Sequence, residues 1–209
     1  LMTQDDSLTE VTQKYITWFF GLMDRVLVPS RWYRRELQES GCPPDRISLL
    51  PWGVDSTFFH PGKRCRDFWA RYPCRHDFTF ITVGHVSRRK NLQRLIRAYQ
   101  QVRERGCQAD LVIVGDGPLL PELRRRYASQ DGLVFTGALQ DDDLAAAYAG
   151  ADAFVYPSTA ATFGNVVLEA QASGLPVIVA DRGGPQDIVH AARSGLVVDV
   201  EEDGKLAAA

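Results

Sequence analysis

Charge of one sign is what this chain most plainly lacks: 24 Lys and Arg stand against 26 Asp and Glu, a net charge of −2. That balance excludes a global field for nucleic acid, so any anionic ligand has to be gripped locally. Cysteine is scarce, and Cys42, Cys65, Cys74 and Cys107 are scattered without a CxxC pair. Their spacing argues against a zinc or disulfide framework and for reduced thiols in a cytoplasmic protein. No apolar run approaches the roughly 20 residues of a membrane span, and no signal-peptide pattern is read. Of the 209 residues, 45% are hydrophobic, enough to bury a core as one domain of ordinary size or one and a fraction.

What is present is an alternation. The buried-strand run TFITVG (Thr79 to Gly84) is followed by KNLQRLIRAYQQVRER, with Leu92, Leu95, Ile96, Tyr99 and Val102 at helical spacing. DLVIVG reads as a strand, LLPELRRRYA as a helix and LVFTG as a strand. The aspartates of DDDLAAAYAG suit a helix N-terminus. AFVYPS, a helix in TFGNVVLEAQASG, LPVIVAD, GGPQDIVHAA and GLVVDV continue the rhythm. Strand and helix in this order predict an α/β fold, a Rossmann-like parallel sheet with helices on both faces. Such sheets bind ligands beyond the carboxyl ends of their strands.

The first 60 residues differ. DRVLVPSRWYRREL is a strand running into a helix, RISLLPWGVD is a strand ending in a turn, and FFHPGKR reads as a linker. The expectation is a remnant of a preceding domain over 1–60, with Trp18, Phe19 and Phe20 as exposed apolar surface, and the main domain over 61–204. KLAAA (205–209) resembles a vector-derived tail and is left out of the fold.

Four loops after strands carry candidate chemistry. In GHVSRRK, backbone amides and Lys90 could grip an anion, or the loop could be a solvated basic helix start. GDGP suits a plain turn. At TFGNVVLEA, helix N–H groups and the positive end of the dipole gather beside Phe163, Gly164, Asn165 and Val166, a place for phosphate. Glu169 shares a helical face with Asn165 and could take two sugar hydroxyls, or be an exposed carboxylate. DRGGPQD is a second glycine-led helix start that faces a ligand or merely turns.

Taken together, VLVPS, GVD, KNL, LVIVGDGP, FTG, FG.V.LEA.ASGLPVI and GG..DIV occur in the order and spacing of one family. From about Asp24 to Val200 the chain resembles the donor-binding half of retaining GT-B glycosyltransferases of glycosyltransferase family 4, the glycosyl transferases group 1 domain. The resemblance implies that Lys90 sits on the donor diphosphate, with position 85 beside it. The amides of Asn165 and Val166 would cradle phosphate, Glu169 would bind the nucleotide ribose, and the backbone at Ala138 and Leu139 would contact the base. It implies no metal and no cofactor, because lysine, arginine and helix dipoles neutralise the leaving diphosphate. The donor would be a UDP-, GDP- or ADP-sugar and the acceptor a sugar, lipid or polysaccharide. Nucleic acid is not expected, and peripheral membrane contact would run through the rest of the N-terminal half. The parent would have two domains and about twice this length.

Two positions depart from the family pattern. Ala161 lies where the first glutamate of the E-x7-E pair belongs, and His85 stands where arginine is usual. The expected activity is transfer of a sugar from a nucleoside diphosphate to an acceptor with retention, by the parent rather than by this piece alone. A nucleotide-sugar 2-epimerase, a binding module without turnover and a purely structural domain are the competing expectations.

Overall fold

The computed structural model describes residues 4–65 and 67–209, which divide into two compact units, 1–52 and 53–209. In the first unit, helix α1 (Gln4–Gly21) leads to strand β1 (Val26–Val28), helix α2 (Arg31–Glu39) and strand β2 (Ile47–Leu49). The two strands pair in parallel. Ser30 caps α2, its hydroxyl accepting from the Tyr33 amide at 3.0 Å. The Arg46 guanidinium donates to the carbonyls of Gly21 and Met23, tying the end of α1 to β2. A small core of Val28, Leu37, Cys42 and Ile47 results. Trp18 and Phe19 are exposed as expected, but Phe20 is not: it packs against that core.

The second unit is a six-stranded, all-parallel sheet. Its elements are β3 (Phe78–Val83), α3 (Leu92–Glu104), β4 (Ala109–Val114), α4 (Leu120–Arg126), β5 (Leu133–Gly137), α5 (Asp141–Gly150), β6 (Ala153–Tyr156), α6 (Asn165–Ala172), β7 (Val177–Ala180), α7 (Pro185–Ala192), β8 (Gly195–Val198) and α8 (Lys205–Ala208). The strand order is β5-β4-β3-β6-β7-β8. Continuous apolar runs form the central strands because both faces are covered, and every residue of β4 is buried.

Alternate strand residues feed two cores. Ile81, Val83, Val112, Val114, Phe154, Tyr156, Val177 and Val179 meet α5, α6 and α7 through Ala147, Tyr148, Val167, Ala170, Ile188 and Val189. Leu111, Ile113, Leu133 and Val155 meet α3 and α4 through Leu92, Leu95, Ile96, Tyr99, Leu120 and Leu123. The apolar spacing read in α3 is thus its buried face. Residues 205–209, left out of the fold at the sequence level, mostly form α8, and Leu206 packs against the second core.

A polar cluster sits at the amino ends of β3 and β4. The carboxylate of Asp110, fully buried, accepts from the amides of Arg75 (2.8 Å) and His76 (3.0 Å) and bonds the His76 ring at 2.7 Å. Arg103 reaches the other ring nitrogen of His76 and the carboxylate of Asp131. Arg75 also pairs with Asp131 at 3.0 Å. Nearby, burial pushes the Cys74 thiol up to about 12, with Asp110 adding to the shift, so it is an unreactive thiol. None of the four cysteines forms a disulfide.

Candidate active site

The strand order reverses between β3 and β6. Connections leave these neighbours in opposite directions, so a crevice opens beyond their carboxyl ends. The loops 84–91 and 157–164 flank it. They are laced together: the Asn91 side chain donates to the Pro157 carbonyl at 3.1 Å, and buried Ser158 donates to the Arg89 carbonyl at 3.4 Å. Asn91 holds a left-handed conformation, φ 53°, which asparagine tolerates better than most residues. It separates the turn Arg88–Lys90 from α3. Lys90 therefore belongs to a short turn over the crevice and not to the helix start considered at the sequence level.

Glycines set how close the loops come. A Cβ on Gly115 would stand 1.9 Å from the Gly84 carbonyl oxygen, and one on Gly184 would stand 2.1 Å from that of Thr162. GDGP and DRGGP are accordingly close-packing devices, more than plain turns. The Val86 amide bonds the Asp116 carbonyl, and the Gly184 amide bonds the Ala161 carbonyl at 2.8 Å.

Lys90 and His85 line one small crevice with Gly84 and Tyr156. The Lys90 ammonium donates to the Tyr156 hydroxyl at 2.6 Å and lies 5.1 Å from the centre of its ring. His85 is exposed at the rim. Gly164, at φ 102°, begins α6, and the first-turn N–H groups there, those of Asn165 and Val166 among them, have no acceptor within the helix. Glu169 follows one turn later. Its Oε2 accepts from the Tyr148 hydroxyl at 2.8 Å. Burial raises the Glu169 carboxyl above its ordinary range, and the Tyr148 hydrogen bond opposes that shift. The tyrosine itself is fully buried and its pKa is held well up, by burial first and then by Glu169.

Ala161 and Phe163 are 7% and 4% exposed and belong to the first core. The Ala161 carbonyl, accepting from the Gly184 amide, fixes the loop after β7. Ala138 is exposed at the end of β5, whereas the Leu139 side chain packs against the first core. Nothing in the sequence reading marked Tyr148, Tyr156 or Asn91. Both tyrosines fit the apolar pattern of core positions, and only their hydroxyls, each on a charged side chain, reveal more. Among the described residues no three His, Cys, Asp or Glu side chains gather as a metal site, and no helix is long and apolar enough to cross a membrane.

Strand order, paired loops and a helix start at the switch point define a Rossmann-type α/β domain with a cleft suited to anions. Sequence comparison gives it a family. The glycosyl transferases group 1 model matches residues 77–209 and the glycosyltransferase family 4 model matches residues 4–58. The chain belongs to the glycosyl transferases group 1 family.

It is 39% identical over 180 residues to a GDP-mannose-dependent alpha-mannosyltransferase of Mycolicibacterium smegmatis, covering 85% of this chain and 45% of that protein. It is 36% identical over 175 residues to a sulfoquinovosyl transferase of Arabidopsis thaliana, covering 82% and 33%. The structure of sucrose-phosphate synthase from Thermosynechococcus elongatus superposes with a TM-score of 0.79 at 27% identity, over 96% of this chain and 51% of that one. The chain spans between about a third and about half of the length of these relatives. These matches bear out the group 1 resemblance and the Rossmann-like sheet with GT-B neighbours.

Proposed function

We propose that residues 53–209 hold the donor of a glycosyltransferase that moves a sugar from a nucleoside diphosphate to an acceptor with retention. The observation that supports this reading is that Lys90, on the loop after β3, and Glu169, on the helix after β6, are each held by a tyrosine hydroxyl. Lys90 and the α6 amides would take the diphosphate, which gains charge as the sugar leaves, so their attraction is strongest in the transition state. Glu169, with Oε2 on Tyr148, has Oε1 to accept ribose hydroxyls. The amides near Ala138 and Leu139 would meet the base, and His85 would stand beside the diphosphate. Several relatives are named as GDP-mannose-dependent mannosyltransferases, which makes GDP-mannose the first donor to try, ahead of UDP- and ADP-sugars. The four unpaired thiols support a cytoplasmic setting.

A second reading, a donor-binding module without turnover, is favoured by one observation: position 161 carries a buried methyl group where the family has a carboxylate. Titration with GDP-mannose, UDP-glucose and ADP-glucose tests both readings. Saturable binding of one of them supports the site, and no binding of any refutes it. Release of sugar to an acceptor by the whole parent protein then separates enzyme from module.

A further inference from the structure

Resting on that reading of the site, we infer that Tyr148 and Tyr156 are its positioning residues, one for the ribose-facing carboxylate and one for the diphosphate-facing ammonium. The two are joined through a row of rings. Tyr148 packs on Phe154 with centroids 5.8 Å apart, and Phe154 stacks on Tyr156 at 6.1 Å with planes 15° apart. Phe154 and Tyr156 are two apart on β6, so they share one face of the sheet, and Tyr148 reaches the same core from α5. All three rings are 5% exposed or less. A rigid apolar row therefore carries a hydroxyl at each end, and each hydroxyl holds one charged group of the site.

The two bonds act differently. Tyr148 donates to Glu169, favouring the ionised carboxylate against the burial that disfavours it. Tyr148 is the one charged or titratable group among the described residues that bears on Glu169. Tyr156 accepts from Lys90, which anchors a flexible four-carbon stem. Without these bonds both side chains would have to be ordered at the moment of binding, which costs affinity.

The experiment is calorimetric titration of the chain with GDP-mannose and with inorganic pyrophosphate. Tyr148→Phe is expected to weaken GDP-mannose about tenfold, the loss of one hydrogen bond to a charged group, and to leave pyrophosphate unchanged. It should also move the acid-side loss of GDP-mannose binding to higher pH, because Glu169 then protonates sooner. The donor diphosphate, esterified at both ends, lacks the terminal phosphate ionisation near pH 6. Tyr156→Phe is expected to weaken both ligands about equally.

In Glu169→Ala and Lys90→Ala backgrounds, respectively, neither tyrosine change should cost anything more. Additive losses in those cycles, equal weakening of both ligands by Tyr148→Phe, or wild-type binding by either variant would overturn the inference. Should Tyr148→Phe alone fail to fold, Tyr148→Phe/Glu169→Ala decides. Folding restored by removing the stranded carboxylate supports the link, and failure of both assigns Tyr148 to the core alone. A wild-type chain that binds neither ligand overturns the functional reading first and this inference with it.

Discussion

The two ends of the sheet in residues 53–209 carry polar clusters of opposite character. At the amino end, Asp110 accepts three hydrogen bonds, and His76, Arg75, Arg103 and Asp131 close on one another. At the carboxyl end, among the described residues, Lys90 and Glu169 each meet one tyrosine hydroxyl and no opposite charge. A buried carboxylate satisfied by its own neighbours fixes a fold. A half-buried carboxylate with an oxygen to spare, its pKa raised by desolvation, marks a site. The contrast separates scaffold from function without reference to any relative.

The largest effect should come from breaking the saturated end. Asp110→Ala strands the His76 ring and two backbone amides, and is expected to cost about 3 kcal/mol or more, at about 1–3 kcal/mol for each buried donor left without a partner. Urea unfolding measures it. A loss under 1 kcal/mol would show that the cluster is decoration and that the contrast drawn here is false.

Next in size is Ala161→Glu. It places a carboxylate at a buried core position and should lower stability by about 1–3 kcal/mol through overpacking, while leaving GDP-mannose affinity nearly unchanged. Unchanged stability would place that side chain in the open cleft instead.

Glu169→Gln sharpens the comparison through pH. The folded pKa of Glu169 is raised, so the native state binds its proton more tightly than the unfolded chain does. The stability it contributes is present below the ordinary carboxylate value of 4.5 and is lost as pH rises through the raised value. Glutamine removes that loss, so the variant should be more stable than wild type at neutral pH and show no gain in acid. A stability difference independent of pH would show that the carboxylate does not titrate as its burial implies.

The smallest effect belongs to exposed His85. His85→Arg adds a permanent cation at the rim and should tighten GDP-mannose by about 0.5–1 kcal/mol at low salt, less as salt screens it. No change would remove position 85 from the diphosphate site.

How much of this was legible beforehand follows the same division. Runs such as DLVIVG and the spacing of Leu92, Leu95, Ile96 and Tyr99 disclosed the sheet and α3, because period and burial are local properties of sequence. Lys90, Glu169 and the start of α6 were singled out through the resemblance. The amino-end cluster was not, because Asp110 and Asp131 meet His76 and Arg103 only across strands distant in sequence. The burial of Ala161 and Phe163 was not legible for a related reason: motif position names the loop they occupy, but not which way its side chains turn. The tyrosines were hidden because ring and hydroxyl obey different rules, the ring following the apolar period and the hydroxyl following its partner.

We propose that the carboxyl end holds a divided donor site, ammonium and helix amides for the diphosphate and carboxylate for the nucleoside. Calorimetric titration of Lys90→Ala and Glu169→Ala with GDP-mannose and with pyrophosphate tests it most directly. Lys90→Ala is expected to weaken both ligands, whereas Glu169→Ala is expected to weaken GDP-mannose alone by about 1.5–3 kcal/mol. Equal weakening of both ligands by Glu169→Ala, or wild-type affinity in both variants, would contradict it.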